Sequence, residues 1–273
     1  MRKKQQFSHG RSDLALKARD VAEFFKELTP EVYTRETCDG FKFGDPEKSV
    51  KKVAVTWMAT MGVLHEAIRR GVDMVVTHEP TFYNHWDETA NLADDTVYKV
   101  KKELLEEHNI PIYRVHDGWD FYPEYGILDS LAKALGLDRV VGETTKIRVY
   151  KSRIISLHDL AKKVKADLGL KGLRYVGDPD QDITRIGLGV GSLGMLNNLK
   201  DAMQLGADCL ICGETVEWQA ARYSEDSSVA LMPIGHSNSE NPGMKGLSEF
   251  LKKEIPELEI EYIETPDPFV LYK

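Results

Sequence analysis

Short apolar runs rich in β-branched residues alternate along this chain with segments whose apolar positions recur at helical spacing. Residues 13–28, "DLALKARDVAEFFKEL", carry that helical spacing and are followed by Pro30, which predicts a helix ending there. "VKKVAVTW" predicts a strand, and "GVLHEAIRRG" the amphipathic helix after it, stopped by Gly71. "VDMVVT" predicts a buried strand, "TVYKVKKELLEEHN" a helix, "IPIYRV" a strand, and "ILDSLAKALGL" a helix ending at Gly136. Strands alternating with helices imply parallel pairing in a layered α/β fold.

From about residue 140 the texture is richer in strand signals. "ETTKIRVYKSR" and "LRYVGDPDQDITRIGLGVG" flank the helical "LHDLAKKVKADLG". Then "LKDAMQLG", "ADCLICG" and "VEWQAARYSED" alternate up to "VALMPIG". The expected organisation is a first lobe of residues 1–139 plus 231–273 that carries the metal ligands, and a second lobe of residues 140–230. The return passes through "HSNSENPGMKGLSEFLKKE". There Asn241-Pro242 reads as the N-cap and first residue of a helix. That leaves His236 on the loop after the strand and Glu240 just ahead of the helix, where the dipole favours an anion.

Three of the strand-like runs end abruptly in imidazole and carboxylate. They are His78-Glu79 in "MVVTHEP", His116 to Asp120 in "IYRVHDGWD", and His236 to Glu240 in "LMPIGHSNSE". Sites in α/β proteins are built at the carboxyl ends of strands, and this donor set is metal-ligand chemistry. His78 and Glu79 can share a site only if the backbone leaves the sheet, and Pro80 supplies the break. Gly118 permits a turn that brings side chains four apart together, with Asp117 and Asp120 as rivals for the carboxylate. Each pair alone has an ordinary alternative, a strand-capping His or an Asx turn. Three pairs at three strand ends favour a metal site, with donors enough for two ions.

Two further motifs read as structural. "GVGSLG", with Gly189, Gly191 and Gly194, matches a dinucleotide fingerprint, and Glu214 falls near the expected ribose acid. The chain left after it is short for a two-halved dinucleotide domain, so a tight packing turn is expected and no organic cofactor. Cys209 and Cys212 lie inside an apolar run with no second pair to complete a zinc site, so they read as buried thiols.

Composition narrows the partners. The 273 residues carry 36 Lys and Arg against 44 Asp and Glu, a net charge of −8, and no basic stripe, which argues against nucleic-acid binding. No apolar run approaches the roughly 20 residues of a membrane span, and the basic start "MRKKQQFSHGRSD" lacks the apolar stretch of a secretory signal. Three cysteines suit a reducing cytoplasm.

The ordered set "DGFKFGDPEKSVKKVAV", "GVDMVVTHEP", "VHDGWD" with "LDSLAKALGL", "GVGSLG", "ADCLICGE", "GHSNSE" and the closing "DPF" resembles the Nif-three-like (NGG-interacting factor three) proteins. These are also catalogued as GTP cyclohydrolase I type 2 homologues. The resemblance covers the chain from about residue 15 onward. It implies two α/β lobes with a metal-binding cleft between them, two divalent ions (manganese, iron or zinc) and a toroidal homohexamer. It carries over His78, Glu79, Asp120, His236 and Glu240 as metal ligands, with Asp120 bridging the ions, and His116 as acid, base or supporting ligand. The family usually has two successive histidines where this chain has His78-Glu79, and many members have an acid where Trp57 stands. An added carboxylate should favour harder ions. The expected function is a dinuclear metal-dependent hydrolase of a nucleotide, phosphoester or related small molecule. A shared, acidified water would attack and His116 would carry the proton. The competing expectation is a non-catalytic metal-binding hexamer acting in metal handling or as a scaffold.

Overall fold

The computed structural model describes residues 15–272. The chain forms α1 (Ala18–Leu28), β1 (Gly40–Phe43), β2 (Lys52–Thr56), α2 (Met61–Arg69), β3 (Met74–Thr77), α3 (Thr96–Glu107) and β4 (Ile112–Arg114). It continues with α4 (Ile127–Ala134), β5 (Val140–Glu143), β6 (Arg148–Ser156), α5 (Leu157–Asp167), β7 (Asp182–Gly189), α6 (Leu196–Gln204) and β8 (Cys209–Cys212). A π-helical turn at Glu217–Ala221 leads into α7 (Arg222–Glu225), followed by β9 (Ala230–Pro233), α8 (His236–Glu254) and β10 (Glu259–Tyr262). No helix among the described residues is long and apolar enough to cross a membrane. The basic start falls outside the described residues.

Two compact units result, each built on one five-stranded sheet. The first comprises the described residues up to Tyr122 together with Met244–Thr265, the second Pro123–Gly243 with the described residues from Pro266 onward. In the first sheet the strand order is β1-β4-β3-β2-β10, with β1 antiparallel to β4 and the other pairs parallel. In the second the order is β5-β6-β7-β8-β9, antiparallel through β7 and parallel beyond it. Consecutive strands joined through a helix pair in parallel at β2–β3, β3–β4, β7–β8 and β8–β9, whereas β6 and β7, joined through α5, pair antiparallel. The pairings β1–β4, β5–β6 and β6–β7 depart from the all-parallel expectation.

The helices form where the sequence caps them. Thr60 accepts from the Val63 amide at the start of α2, Asp95 from Tyr98 at α3, and Ser156 from Asp159 at α5. Gly71 (φ 67°) and Gly136 (φ 68°) end α2 and α4 in the left-handed region. Val53, Ala54 and Val55 on β2 and Val75 on β3 are fully buried, with Val63, Leu64 and Leu105 packed against one face. The second core gathers Ile147, Val149, Leu199, Leu210 and Leu231.

The unit boundaries fall after Tyr122 and Gly243, not at the 139/140 and 230/231 junctions expected from texture. Helix α4 belongs with the second sheet, where Asp129 on it pairs with Arg148 on β6. The return to the first unit occurs inside α8, so His236 and Glu240 fall in the second unit, while His78, Glu79 and Asp120 fall in the first.

Candidate metal centre

In the first unit, β3 stops at Thr77 because the next two amides leave the ladder. His78 N and Glu79 N both donate to the Trp57 carbonyl, at 3.1 and 2.8 Å. Freed from strand alternation, both side chains come beside His116. The His78 and His116 rings stack with centroids 4.5 Å apart, and Glu79 Oε1 lies 3.8 Å from His116 Nε2. His78 Nδ1 is 3.1 Å from the Val115 carbonyl, which turns Nε2 to within 3.3 Å of Asp120 Oδ1. Wholly buried Arg114 donates from Nε to the His78 carbonyl (2.7 Å) and from Nη1 to His85 O, with Nη2 3.7 Å from Glu79 Oε2.

The second strand end is a single tight turn. Trp119 N and Asp120 N both donate to the His116 carbonyl (2.9 and 3.0 Å), placing residues 116 and 120 on one side. The Asp39 carboxylate holds this turn by accepting from His116 N, Asp117 N and Gly118 N at 2.8, 2.9 and 3.0 Å. Burial raises the Asp39 pKa against the pull of those amides. Gly118 is required here, since a Cβ would stand 2.7 Å from Thr29 Oγ1. The two rival aspartates separate cleanly. Asp117 Oδ1 lies 2.9 Å from His116 Nδ1 while its Oδ2 accepts from Thr37 Oγ1 (2.8 Å), whereas Asp120 faces His78. Burial and the His78 imidazole push the His116 pKa down, but hydrogen bonds to Asp117 and Cys38 and the charge of Asp120 outweigh them, raising it to about 10. Hydrogen bonding to His116 holds the Asp117 carboxyl well below the usual range.

The donor set fits a metal ion. Ligand atoms of His78, His116 and Asp120 all lie within 4.8 Å of one another, and they combine two imidazoles with a carboxylate. The sequence singled out His78 and Asp120 as ligands and His116 as a proton carrier or supporting ligand, and it gave no sign of the groups that hold them, Asp39 and Arg114. Asp39 was visible only as the acid of "CDGFK", and nothing in spacing ties it to a turn almost 80 residues later.

Loop support comes from Lys101 on α3, whose Nζ donates to the Thr81 carbonyl at 2.5 Å just past Glu79. Burial lowers the Lys101 pKa from 10.5 to about 8, opposed by Asp87. Between pH 8 and 10.5 the unfolded chain thus holds a proton the folded one has lost, so this group's contribution to stability is full above 10.5 and lost as pH falls through about 8. Lys101→Met should flatten the rise in unfolding free energy over that window, measured by urea denaturation. Equal slopes in the two proteins would refute the assignment.

In the second unit, Gly235 (φ 97°) turns the chain after β9, and Ser239 N already donates to its carbonyl (3.0 Å). Gly235 is therefore the residue before the helix. Asn241-Pro242 lies within α8 rather than at its start, because the ladder has formed a turn earlier. His236 opens the helix instead of lying on a loop, and Glu240 follows one turn on, with His236 Nε2 3.3 Å from Glu240 Oε2. Ser239 Oγ donates to the His236 carbonyl (2.7 Å) and accepts from Gly191 N (2.9 Å). Glu214, which stood in the place of a ribose acid in the fingerprint, lies 3.4 Å from His236 Nδ1.

The glycine loop after β7 packs on this pair. Gly191 has φ 56°, and a Cβ there would stand 2.2 Å from Glu240 Oε1 and 2.9 Å from His236 Nε2. Gly191→Ala should cost about 1–3 kcal/mol from the left-handed backbone and displace the His236–Glu240 pair. Reduced metal content with a lower Tm is the expected result, and a variant matching the parent in both would contradict it. Cys209 and Cys212 are buried on β8, where burial pushes the Cys212 thiol up to about 12, as expected of structural thiols.

Residues 16–268 match the model of the Duf34/NIF3 (NGG1p interacting factor 3) family. The chain belongs to this family. A Clostridium perfringens protein named GTP cyclohydrolase 1 type 2 homolog is 30% identical over 268 residues, 93% of this chain and 99% of its own. An Escherichia coli K12 protein of the same name is 28% identical over 225 residues, 81% and 87% of the two chains. Among solved structures, a Bacillus cereus protein related to NIF3 superposes with a TM-score of 0.84 at 16% identity, covering 95% of this chain and 100% of its own. Staphylococcus aureus protein SA1388 gives 0.80 at 22% identity, again over 95% and 100%. The NIF3 fold is thus shared at low identity.

Proposed function

We propose that this NIF3-family chain is a metal-dependent hydrolase acting on a nucleotide, phosphoester or related small molecule with two divalent ions. The observation carrying the reading is the convergence of His78, His116 and Asp120 donor atoms within 4.8 Å at two strand ends. Donors in the first unit are His78, Glu79 and Asp120; the second unit offers His236 and Glu240. Divalent ions there would supply positive charge that acidifies water and polarises a phosphoryl or ring-carbon centre. Asp117 holds His116 through Nδ1, and Nε2 is then the nitrogen that exchanges a proton on the side facing Glu79. Arg114 lies beside Glu79 and fixes the carbonyls of residues 78 and 85 by its other nitrogens. The oxygen added by Glu79 leans the set toward manganese or iron over zinc.

The test is a screen of the metal-loaded protein against nucleotides including GTP, and against phosphoesters, with Asp120→Asn as control. GTP belongs in the screen because of the name its relatives carry. Turnover that is lost in the control supports the reading, and none with any substrate class leaves metal handling as the better account. A closed homohexamer in a reducing cytoplasm is part of the same reading. Multi-angle light scattering should give six times the subunit mass of 30.9 kDa, and a monomer at micromolar concentration would contradict it.

A further inference from the structure

A second donor group lies beside the first in the same unit, formed by Cys38, His116 and Asp117. Cys38 immediately precedes Asp39, and its Sγ is 3.7 Å from Asp117 Oδ1, itself 2.9 Å from His116 Nδ1. The thiol sulfur, a ring nitrogen and a carboxylate oxygen all lie within 4.8 Å of one another. Around a tetrahedral zinc ion, with Zn–S near 2.3 Å and Zn–N or Zn–O near 2.0 Å, neighbouring donors stand roughly 3.3–3.5 Å apart. The sulfur–oxygen distance is already close to that, and the nitrogen–oxygen distance needs only a few tenths of an ångström.

We propose that Cys38, His116 through Nδ1, and Asp117 form a binding site for a thiophilic divalent ion such as zinc, with a fourth position open.

Three features suit the group to this task. Thiolate, imidazole and carboxylate together are a soft-to-borderline set, unlike the oxygen-rich set that includes Glu79 and Asp120. The two segments carrying them are already fixed against each other. Asp39 binds the amides of residues 116–118, Asp39 N donates to Thr37 Oγ1 (3.1 Å), and Thr37 Oγ1 donates to Asp117 Oδ2 (2.8 Å). Cys38 is wholly buried, while the His116 and Asp117 side chains keep 18% and 24% exposure, so an ion has an approach from solvent on the imidazole and carboxylate side. On binding, the thiol proton and any proton on Nδ1 pass to solvent, and thiolate plus carboxylate balance the two positive charges of the ion. Ligation through Nδ1 leaves Nε2 toward Glu79; His116 is shared with the first group, and Asp120 Oδ2, 3.8 Å from the same Nδ1, stays directed at His78 through its other oxygen.

The experiment is a cobalt(II) titration of the metal-free full-length protein, read by absorption. A thiolate-to-cobalt charge-transfer band should grow in the near ultraviolet and saturate with one ion per chain at this site. Cys38→Ser should abolish it, and Asp117→Asn should weaken the binding by about tenfold or more. Cys209→Ala with Cys212→Ala should keep the band. Asp120→Asn should keep it too, which separates failure of the hydrolytic reading from failure of this one. Absence of the band in the parent protein, or its survival in Cys38→Ser, overturns the proposal. Should Cys38→Ser not fold, loss of the band in the Cys209/Cys212 variant overturns it equally.

Discussion

Asp120→Asn and His236→Ala are each expected to yield a folded protein that has lost the ion held through that residue while keeping any at Cys38, with affinity at the affected position reduced well beyond the roughly 10–100-fold that follows loss of a merely supporting group. The Asp120 carboxylate faces His78 Nε2 at 3.3 Å, and the turn that presents it is closed by backbone hydrogen bonds that an asparagine leaves intact. Asparagine keeps the shape and removes the charge, so the change falls on the ion and spares the fold. His236 stands at the first position of its helix with its ring partly exposed, so truncation removes little packing. Both residues lie at strand ends, where function can be lost at small cost to the core. Elemental analysis of the purified variants, beside circular dichroism and thermal melting, checks the expectation. Full metal content in both variants would sink the ligand assignment.

Asp39→Ala should have the opposite signature, a large loss of stability together with a loss of metal. One carboxylate accepts from three consecutive amides, and without it those amides are left inside the unit with no acceptor. Hydrogen bonds to a charged acceptor contribute about 1.5–3 kcal/mol each and are not additive, so a total of about 3 kcal/mol is the reasonable scale. For a chain of this size that lowers Tm by roughly 6–12 °C. The same turn carries His116, Asp117 and Asp120, so metal affinity should fall alongside. A melting temperature and metal content equal to the parent's would show that the turn stands without Asp39. The comparison with Asp120→Asn is the informative one, because only a residue that shapes the turn moves both quantities.

The helices and the inner strands were legible from the chain because their apolar positions are dense and periodic. The strands that escaped, β1 "GFKF", β5 "VVGE" and β10 "EIEY", are all at sheet edges. An edge strand has one free side and needs fewer apolar residues, so its pattern is short and mixed with charge. The clustered His and carboxylate residues were legible for a different reason, since such residues after an apolar run are unusual locally. What spacing could not decide was the choice between Asp117 and Asp120. Geometry separates them, one holding His116 through Nδ1 and the other facing His78. The start of α8 was misplaced by weighing Asn241-Pro242 above Gly235. Pro242 stands past the first turn of α8, where it forgoes the i→i−4 hydrogen bond, so proline there does not mark the helix start, and a glycine with positive φ can precede a helix as well as end one. Glu214 was noticed for the wrong partner, a ribose in place of His236.

Strand β10 pairs with β2 in the register Glu259↔Lys52 through Tyr262↔Val55, across more than 200 intervening residues. During synthesis, β2 leaves the ribosome long before its neighbour exists, so one flank of the first sheet waits with unpaired amides and carbonyls while residues Pro123–Gly243 of the second unit are made. Loop closure over such a span is slow, and an open parallel edge is a template for wrong partners in the interval. Thr265 completes the closure, its hydroxyl 2.9 Å from Thr56 Oγ1 and accepting from Met58 N at 3.2 Å. Nascent chains arrested short of residue 259 should therefore depend on chaperones and aggregate on release, while chains arrested beyond residue 265 should not.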